Sequence, residues 1–446
     1  MRLRFCLPLF LFALVVKPTV RADDAKPPPT AVQVKPRPPG KFELLDGDRV
    51  AFIGDTLIER MQSNDYIETA LTVRYPDRNI TFRNLGWSGD TVFGDSRASF
   101  GTTADGFRQL RDRVSDFRPT VVFLGYGGGH SFDGATGLPR FLSGMETLVA
   151  MLSETKPAIV VLSPIRHEDL GRPLPDPAQH NRNRALYRDA LRQFAAARSF
   201  PFVDLFDLLG DGTPTNPPRP LTDNGIHLSE YGYWRSAAAL EQTFGWTSTE
   251  WGIEFDSDGK PAKANGTKLS DIEATADRVR FTALDDRLPM PRPAVRPPEG
   301  TTGNMRAIRV HDRMGLNFET RMDGAMYPSR VIRMSGLPLG RYVMKVDGLP
   351  VAEFHASDQP TEVKLVTGPE FEQVEKLRQT ALAKNELFFH RWRPQNETYL
   401  LGFRKHEQGQ NAREIPMFDP LIGEKEAAIA KLRVPVAHRY EIDRVR

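Results

Sequence analysis

Cysteine is almost missing from this chain: Cys6 is the only one in 446 residues. It lies in an apolar N-terminal stretch, so the remainder has no thiol for a disulfide, a thiolate metal site or a cysteine nucleophile. The N-terminal run Phe5 to Val16 is also shorter than the ~20 apolar residues that a spanning helix needs. It follows the basic Met-Arg-Leu-Arg and precedes the small-residue site Val20-Arg21-Ala22, a pattern that predicts a secretory signal over residues 1–22 and export to the periplasm or the medium. A retained membrane anchor is the alternative. An excess of one charge is lacking as well. The formal net charge is +3, and losing Arg2, Arg4, Lys17 and Arg21 with the signal would make it −1, which gives nucleic acid no basic surface to bind. Neither Gly-x-Gly-x-x-Gly nor Gly-Lys-Ser/Thr follows an expected strand, which excludes the usual nucleotide loops.

What is present is ordinary in bulk, 40% hydrophobic and 26% charged, and long enough for two or three structural units. Residues 23–45 form a spacer, since six prolines between Asp23 and Lys41 favour extended polyproline. The stretch Arg49 to Arg60 then reads as strand, turn and helix. Val50 to Ile53 suits a buried parallel strand, Gly54 a tight turn, and Asp55 and Thr56 a helix start that needs side-chain oxygens. Open α/β sheets carry their chemistry at the carboxyl ends of strands. Thr56 is therefore a candidate for the reacting position, with simple helix capping as the alternative.

Further strands are expected at Asn79–Gly86, Thr120–Leu124, Ala158–Ile165 and Phe202–Phe206, with apolar helix faces between them, and Asp65 with Glu68 reads as a capping box. Five strands alternating with helices predict an α/β fold with a doubly wound parallel sheet. Glycine-punctuated loops follow strand two, Asn84 to Thr91, and strand three, Gly125 to His130. His227 precedes a helix for which Ser229 is the expected cap. Beyond it, short alternating runs (Ala307–Val310, Arg330–Met334, Arg341–Phe354 with a hairpin turn at Asp347-Gly348) predict a small β-rich unit over residues 265–360, fit either to bind glycans or to pack on the first domain. Residues 361–446 read as a helical segment. Its stretch Phe388 to Tyr399 concentrates aromatic and guanidinium groups, which either stack on a sugar and cover a cleft or form a seam between domains.

Three of these stretches fall into one pattern. Gly54-Asp55-Thr56, Ser88-Gly89-Asp90 and Asn224-Gly225-Ile226-His227 resemble the blocks of the SGNH (GDSL-like) hydrolase family, over roughly Asp46 to Trp246, and several segments look like exported SGNH-like proteins of environmental bacteria. The resemblance implies a flavodoxin-like SGNH hydrolase domain over residues 46–250. By the family's roles Thr56, in place of serine, would be the nucleophile, His227 the base and Gly89 an oxyanion donor. The asparagine position of the oxyanion site falls on Gly129 and the aspartate position on Asn224, with Asp223 one residue away as a substitute. The implied function is hydrolysis of a small acyl or carbohydrate ester, slow because of these changes, with no metal or cofactor. Trp87, Arg391, Trp392 and Arg393 are the candidate substrate contacts. A non-catalytic glycan- or acyl-binding protein on the same scaffold is the alternative.

Overall fold

In the computed structural model the apolar run around Val50 lies in strand β1 (Arg49–Gly54), where Val50 and Phe52 enter one core and Ala51 and Ile53 another. A strand apolar at successive positions is what burial on both faces demands. The structure describes residue 37 and residues 42–210, 219–246, 251–275, 277–293, 330–400, 402–404, 406–407 and 411–445. The expected signal, most of the spacer and the Ala307–Val310 strand lie outside these residues.

β1 pairs in parallel with β2 (Thr81–Asn84) and β3 (Val121–Gly125), while β4 (Ala158–Leu162) and β5 (Phe202–Val203) complete the order β2-β1-β3-β4-β5. One face is covered by helices α1 (Thr56–Met61), α2 (Tyr66–Arg74), α6 (Leu205–Leu209) and α7 (Glu230–Thr243). The other carries α3 (Thr103–Phe117), α4 (Gly134–Leu152) and α5 (Ala178–Ala196). This is the expected doubly wound parallel sheet. Because the chain leaves β1 on one face and β2 on the other, a crevice opens at the carboxyl ends of β1 and β3.

The second half holds a two-sheet sandwich. One sheet is β13-β10-β6-β7, built from β6 (Gly252–Phe255), β7 (Pro261–Asn265), β10 (Arg330–Met334) and β13 (Thr361–Leu365). The other is β12-β11-β14-β9-β8, built from β8 (Thr267–Thr275), β9 (Arg278–Asp285), β11 (Gly340–Val346), β12 (Leu349–Ala356) and β14 (Ala437–Arg444). Ile253, Phe255, Ile332 and Met334 meet Phe281, Tyr342, Met344 and Tyr440 in the core between them. The hairpin turn at Asp347-Gly348 has φ of 49° and 80°, the left-handed pair of a type I′ turn. Helix α8 (Pro369–Trp392) then runs back to α2, and α9 (Phe418–Leu432) packs along it.

Three local expectations are corrected. Strand five stops at Val203, because the Asp204 carboxylate caps α6 by accepting from Asp207 N–H at 3.1 Å. Asp65 makes no capping bond; it sits at φ 54° and its carboxylate, like that of Glu68, turns to α8. The end of the chain is a strand, with His438, Tyr440 and Ile442 alternating inward between β11 and β9.

The contact of α8 with α2 is polar and buried. Lys384, 1% exposed, donates to Glu68, and Asn385 donates to Asp65 at 2.9 Å and to Glu68 at 3.1 Å. Burial and the Glu68 charge hold the Asp65 carboxyl well above its ordinary value. Lys384→Met would leave the buried Glu68 carboxylate without its ion-pair partner, so we expect a loss of about 3–5 kcal/mol, read as a lower urea unfolding midpoint. Adding Glu68→Gln should restore most of it. A single-mutant loss under ~1 kcal/mol would show that the pair is not what docks α8.

Candidate active site

Asp55, not Thr56, is the cap of α1: its Oδ1 accepts from Leu57 N–H at 3.1 Å. Thr56 is left as the first helical residue and lines the cleft. Gly89 N–H donates to Thr56 Oγ1 at 3.1 Å, so the loop after β2 reaches over β1. Gly89 has φ of 73°, a conformation that favours glycine. The loop is locked by Asp90, which is buried with Arg97 in a pair at 2.5 Å and accepts from Ser96 N–H and Tyr126 Oη. Burial raises the Asp90 carboxyl, with the Arg97 charge opposing.

Thr56, Gly89, Gly129 and His227 line one cleft of about 140 Å³, together with Asp55, Tyr126, Phe132, Arg184 and Ile226. Among the described residues no hydrogen bond joins Thr56 to His227. The His227 loop is held by Glu168, whose carboxylate accepts from the N–H groups of Leu221 and Thr222, and by Ser229, which caps α7 as expected.

Asn224 decides what His227 can do. Its Oδ1 accepts from the N–H groups of Ile226 at 3.2 Å and His227 at 3.0 Å, which turns its NH2 toward His227 Nδ1 at 3.2 Å. Nδ1 must then accept, and the neutral ring carries its proton on Nε2. Burial and the Arg60 charge keep the ring pKa below its ordinary value, so the neutral form prevails at pH 7. A general base at Nε2 needs the opposite tautomer. Asp223 does not take over the orienting role, because its carboxylate pairs with Arg60 at 3.0 Å.

Gly129 is open space: a Cβ there meets nothing within 4 Å, and its φ of −67° and ψ of −43° suit any residue. Its N–H faces the Asp55 carboxylate. Arg391, Trp392 and Arg393 do not line the cleft. Arg391 pairs with Asp419 on α9 at 2.8 Å, Trp392 is buried edge-on against Trp87, and the Arg393 guanidinium stacks 3.6 Å from the Trp87 ring. Trp392 and Arg393 form a seam between the two halves, whereas Arg391 ties α8 to α9. Within it, Glu59 of α1 accepts from Arg393 at 3.1 Å and from Ser88 N–H, next to Gly89.

Arg184 and Phe132 went unnoticed in the sequence. Arg184 lies on the stripe of α5 that includes Tyr187, Leu191 and Phe194, so an arginine at a core position of an amphipathic helix was the available signal. Phe132 is 64% exposed and stacks on His180 at 4.0 Å, at the rim.

Residues 52–235 match the model of the GDSL-like lipase/acylhydrolase family. No curated protein sequence matches the chain. Among solved structures, a gut microbial diltiazem-metabolizing enzyme is 15% identical, with a TM-score of 0.66 over 90% of this chain and 99% of its own. That likeness spans the sandwich as well as the parallel sheet, so the two occur together as one architecture. The acetylxylan esterase Axe2 from Geobacillus stearothermophilus is 18% identical over 46% of this chain and 98% of its own, TM-score 0.35. An α/β hydrolase from the metagenome of Lake Arreo is 19% identical over 45% and 97%, TM-score 0.34.

Burial pushes the Asp55 carboxyl up to about 6, against the Leu57 and Gly129 N–H groups and the Arg184 charge. A folded pKa above the unfolded one means stability that is whole at low pH and lost as pH rises toward and through 6. The two-unit gap corresponds to about 3 kcal/mol. Asn caps as well as Asp, so Asp55→Asn should melt at a higher temperature than the parent at pH 8 and at nearly the same temperature at pH 4. Equal differences at both pH values would refute a raised Asp55.

Proposed function

We propose that this chain, whose residues 52–235 form a GDSL-like lipase/acylhydrolase domain, is a slow hydrolase of a small acyl or carbohydrate ester, exported by the N-terminal signal expected at residues 1–22. The observation that carries the reading is the convergence of Thr56, Gly89 N–H and His227 on one cleft. In the first step Thr56 Oγ1 adds to the ester carbonyl carbon, the carbonyl π pair moves to oxygen, and the alcohol part leaves. Water then releases the acid from the threonyl ester. The hydroxyl proton passes to His227 Nε2 and from there to the departing alkoxide, and the same nitrogen takes and returns the water proton in the second step; this requires the imidazole to carry its other proton on Nδ1. The Asn224 amide opposes that tautomer, which supports a low rate. Threonine adds a methyl that restricts χ1, and Gly129 offers no side-chain donor.

The same Asn224 geometry favours a second reading, a binding protein on this scaffold that does not turn substrate over.

Short-chain p-nitrophenyl esters and acetylated sugars should be hydrolysed slowly, and Thr56→Ala or His227→Ala should each remove the activity. Asn224→Asp would keep one oxygen on the Ile226 and His227 N–H groups and turn the other to Nδ1–H; it should raise kcat by a factor on the order of 10² to 10⁴. Gly129→Asn, placed in open space, should add up to roughly 10²–10³ if its amide reaches the oxyanion, and Thr56→Ser should relieve crowding at the nucleophile. No turnover by the parent, and none by the triple variant on any acyl or acetyl ester, would leave the binding reading.

A further inference from the structure

The cleft contains a cation that the protein itself does not pair. Arg184 is 3% exposed. Its Nε donates to His180 Nε2 at 3.2 Å and its Nη1 to Ile165 O at 2.7 Å. Its Nη2 makes no hydrogen bond among the described residues, and Arg184 lines the cleft. No carboxylate lies within ion-pair distance of it there. Burial lowers its pKa to about 10, and the Asp55 charge opposes that shift only in part. The fork is held rigid from behind. His180 accepts from Arg184 on Nε2, so its Nδ1–H points to His167 Nδ1 at 3.1 Å, and the Asn181 side chain ties the His167 backbone at both N–H and C=O, each at 2.8 Å.

Two more donors border the same cleft. Gly89 N–H lies at Thr56 Oγ1, and His227 presents Nε2–H because Asn224 occupies Nδ1. Two acids lie on the wall: Asp90, which is paired with Arg97, and Asp55, whose Oδ2 is buried without a hydrogen bond. A planar guanidinium with a free edge matches a carboxylate better than it matches a neutral carbonyl. A buried charge without an ion-pair partner is costly, and an incoming anion offsets that cost.

We propose that this cleft binds a carboxylate, held by the free edge of Arg184 together with the His227 Nε2–H donor, with Gly89 N–H and Thr56 beside it. The carboxylate has two possible sources: the acid that hydrolysis releases, or an acidic substituent on the ester. Only the first source rests on the hydrolase reading; binding itself does not require turnover.

Isothermal titration of the Thr56→Ala protein, which cannot consume an ester through this residue, tests the proposal with sodium acetate, monomethyl succinate and dimethyl succinate. The two carboxylates should bind roughly ten-fold or more tighter than the neutral diester, the size of one charged hydrogen bond. Tighter binding of the half-ester than of acetate assigns the carboxylate to the substrate; equal binding assigns it to the product. Arg184→Gln should lose this preference. Because Arg184 also braces His180 and Ile165, that variant can fail to fold, and Gly129→Asp then decides: its side chain enters open space and competes for the guanidinium, so carboxylate binding should fall roughly ten-fold, while Gly129→Asn retains it. A diester that binds as tightly as the half-ester, or carboxylate binding that survives Gly129→Asp, would overturn the proposal. Either result leaves the ester-hydrolysis reading standing, and a failure of hydrolysis leaves this one standing.

Discussion

The site depends on backbone contact between a six-residue helix and the ends of three strands. α1 is too short to hold itself together, and it lies directly on the sheet because Gly54, Gly86 and Gly125 offer no Cβ. A Cβ on Gly54 would come within 2.2 Å of Gly125 O, one on Gly86 within 2.3 Å of Glu59 N, and one on Gly125 within 2.7 Å of Ile58 Cδ1. Two of its carbonyls are satisfied from outside: Asn84 Nδ2 donates to Ile58 O at 2.6 Å and Tyr233 Oη to Leu57 O at 2.8 Å. The place of Thr56 is therefore set by the main chain of three strands, and its side chain needs only to choose a rotamer.

The second half of the chain reaches that arrangement through Glu59. This residue lies one turn beyond Thr56, holds Ser88 N–H, and is itself held by Arg393 at the end of α8. Trp87, packed between the Arg393 guanidinium and the Trp392 indole, closes the loop from the other side. α8 is anchored upstream by Lys384 and Arg378, the latter donating to Asn64 O at 2.8 Å. Docking of the accessory half thus bears on the position of the Gly89 N–H, although none of its described residues lines the cleft.

How much of this the sequence disclosed follows from the range of the interactions. Val50 to Ile53 and the matching runs in β3 and β4 are apolar because both faces are buried, so the parallel sheet was legible from local pattern. The type I′ turn at Asp347-Gly348 was legible for the same reason, since two consecutive left-handed residues admit few side chains. Asp65 misled because its local partner, Glu68, is outcompeted by Lys384 and Asn385, more than 300 residues away. β14 carried a period of two in His438, Tyr440 and Ile442, but its interleaved charges and its place after a helix hid it. Phe388 to Tyr399 could serve as a sugar platform or as a seam by composition alone; only the partners Trp87, Glu59 and Asp419 distinguish these. Arg184 was hidden most deeply, because an arginine in a helix reads as a solvated face until the burial of its neighbours is known.

The altered positions share one electrostatic direction. A serine-type site needs an acceptor behind the histidine so that Nε2 is free to take a proton, and donors in front to meet the oxyanion. Here position 224 supplies a donor where an acceptor is wanted, its orientation fixed by two main-chain N–H groups, and His227 becomes a donor in turn. Arg184 adds a fixed positive edge to the same space. Both features favour negative charge in the cleft, and the Asn224 contact disfavours the tautomer that would take a proton from Thr56. Transition-state stabilisation requires that charge be held more strongly in the transition state than in the ground state. Donors that hold a finished carboxylate as well as a developing oxyanion give no such difference, so on the proposed reading slow turnover and retention of an acid would share one arrangement of hydrogens.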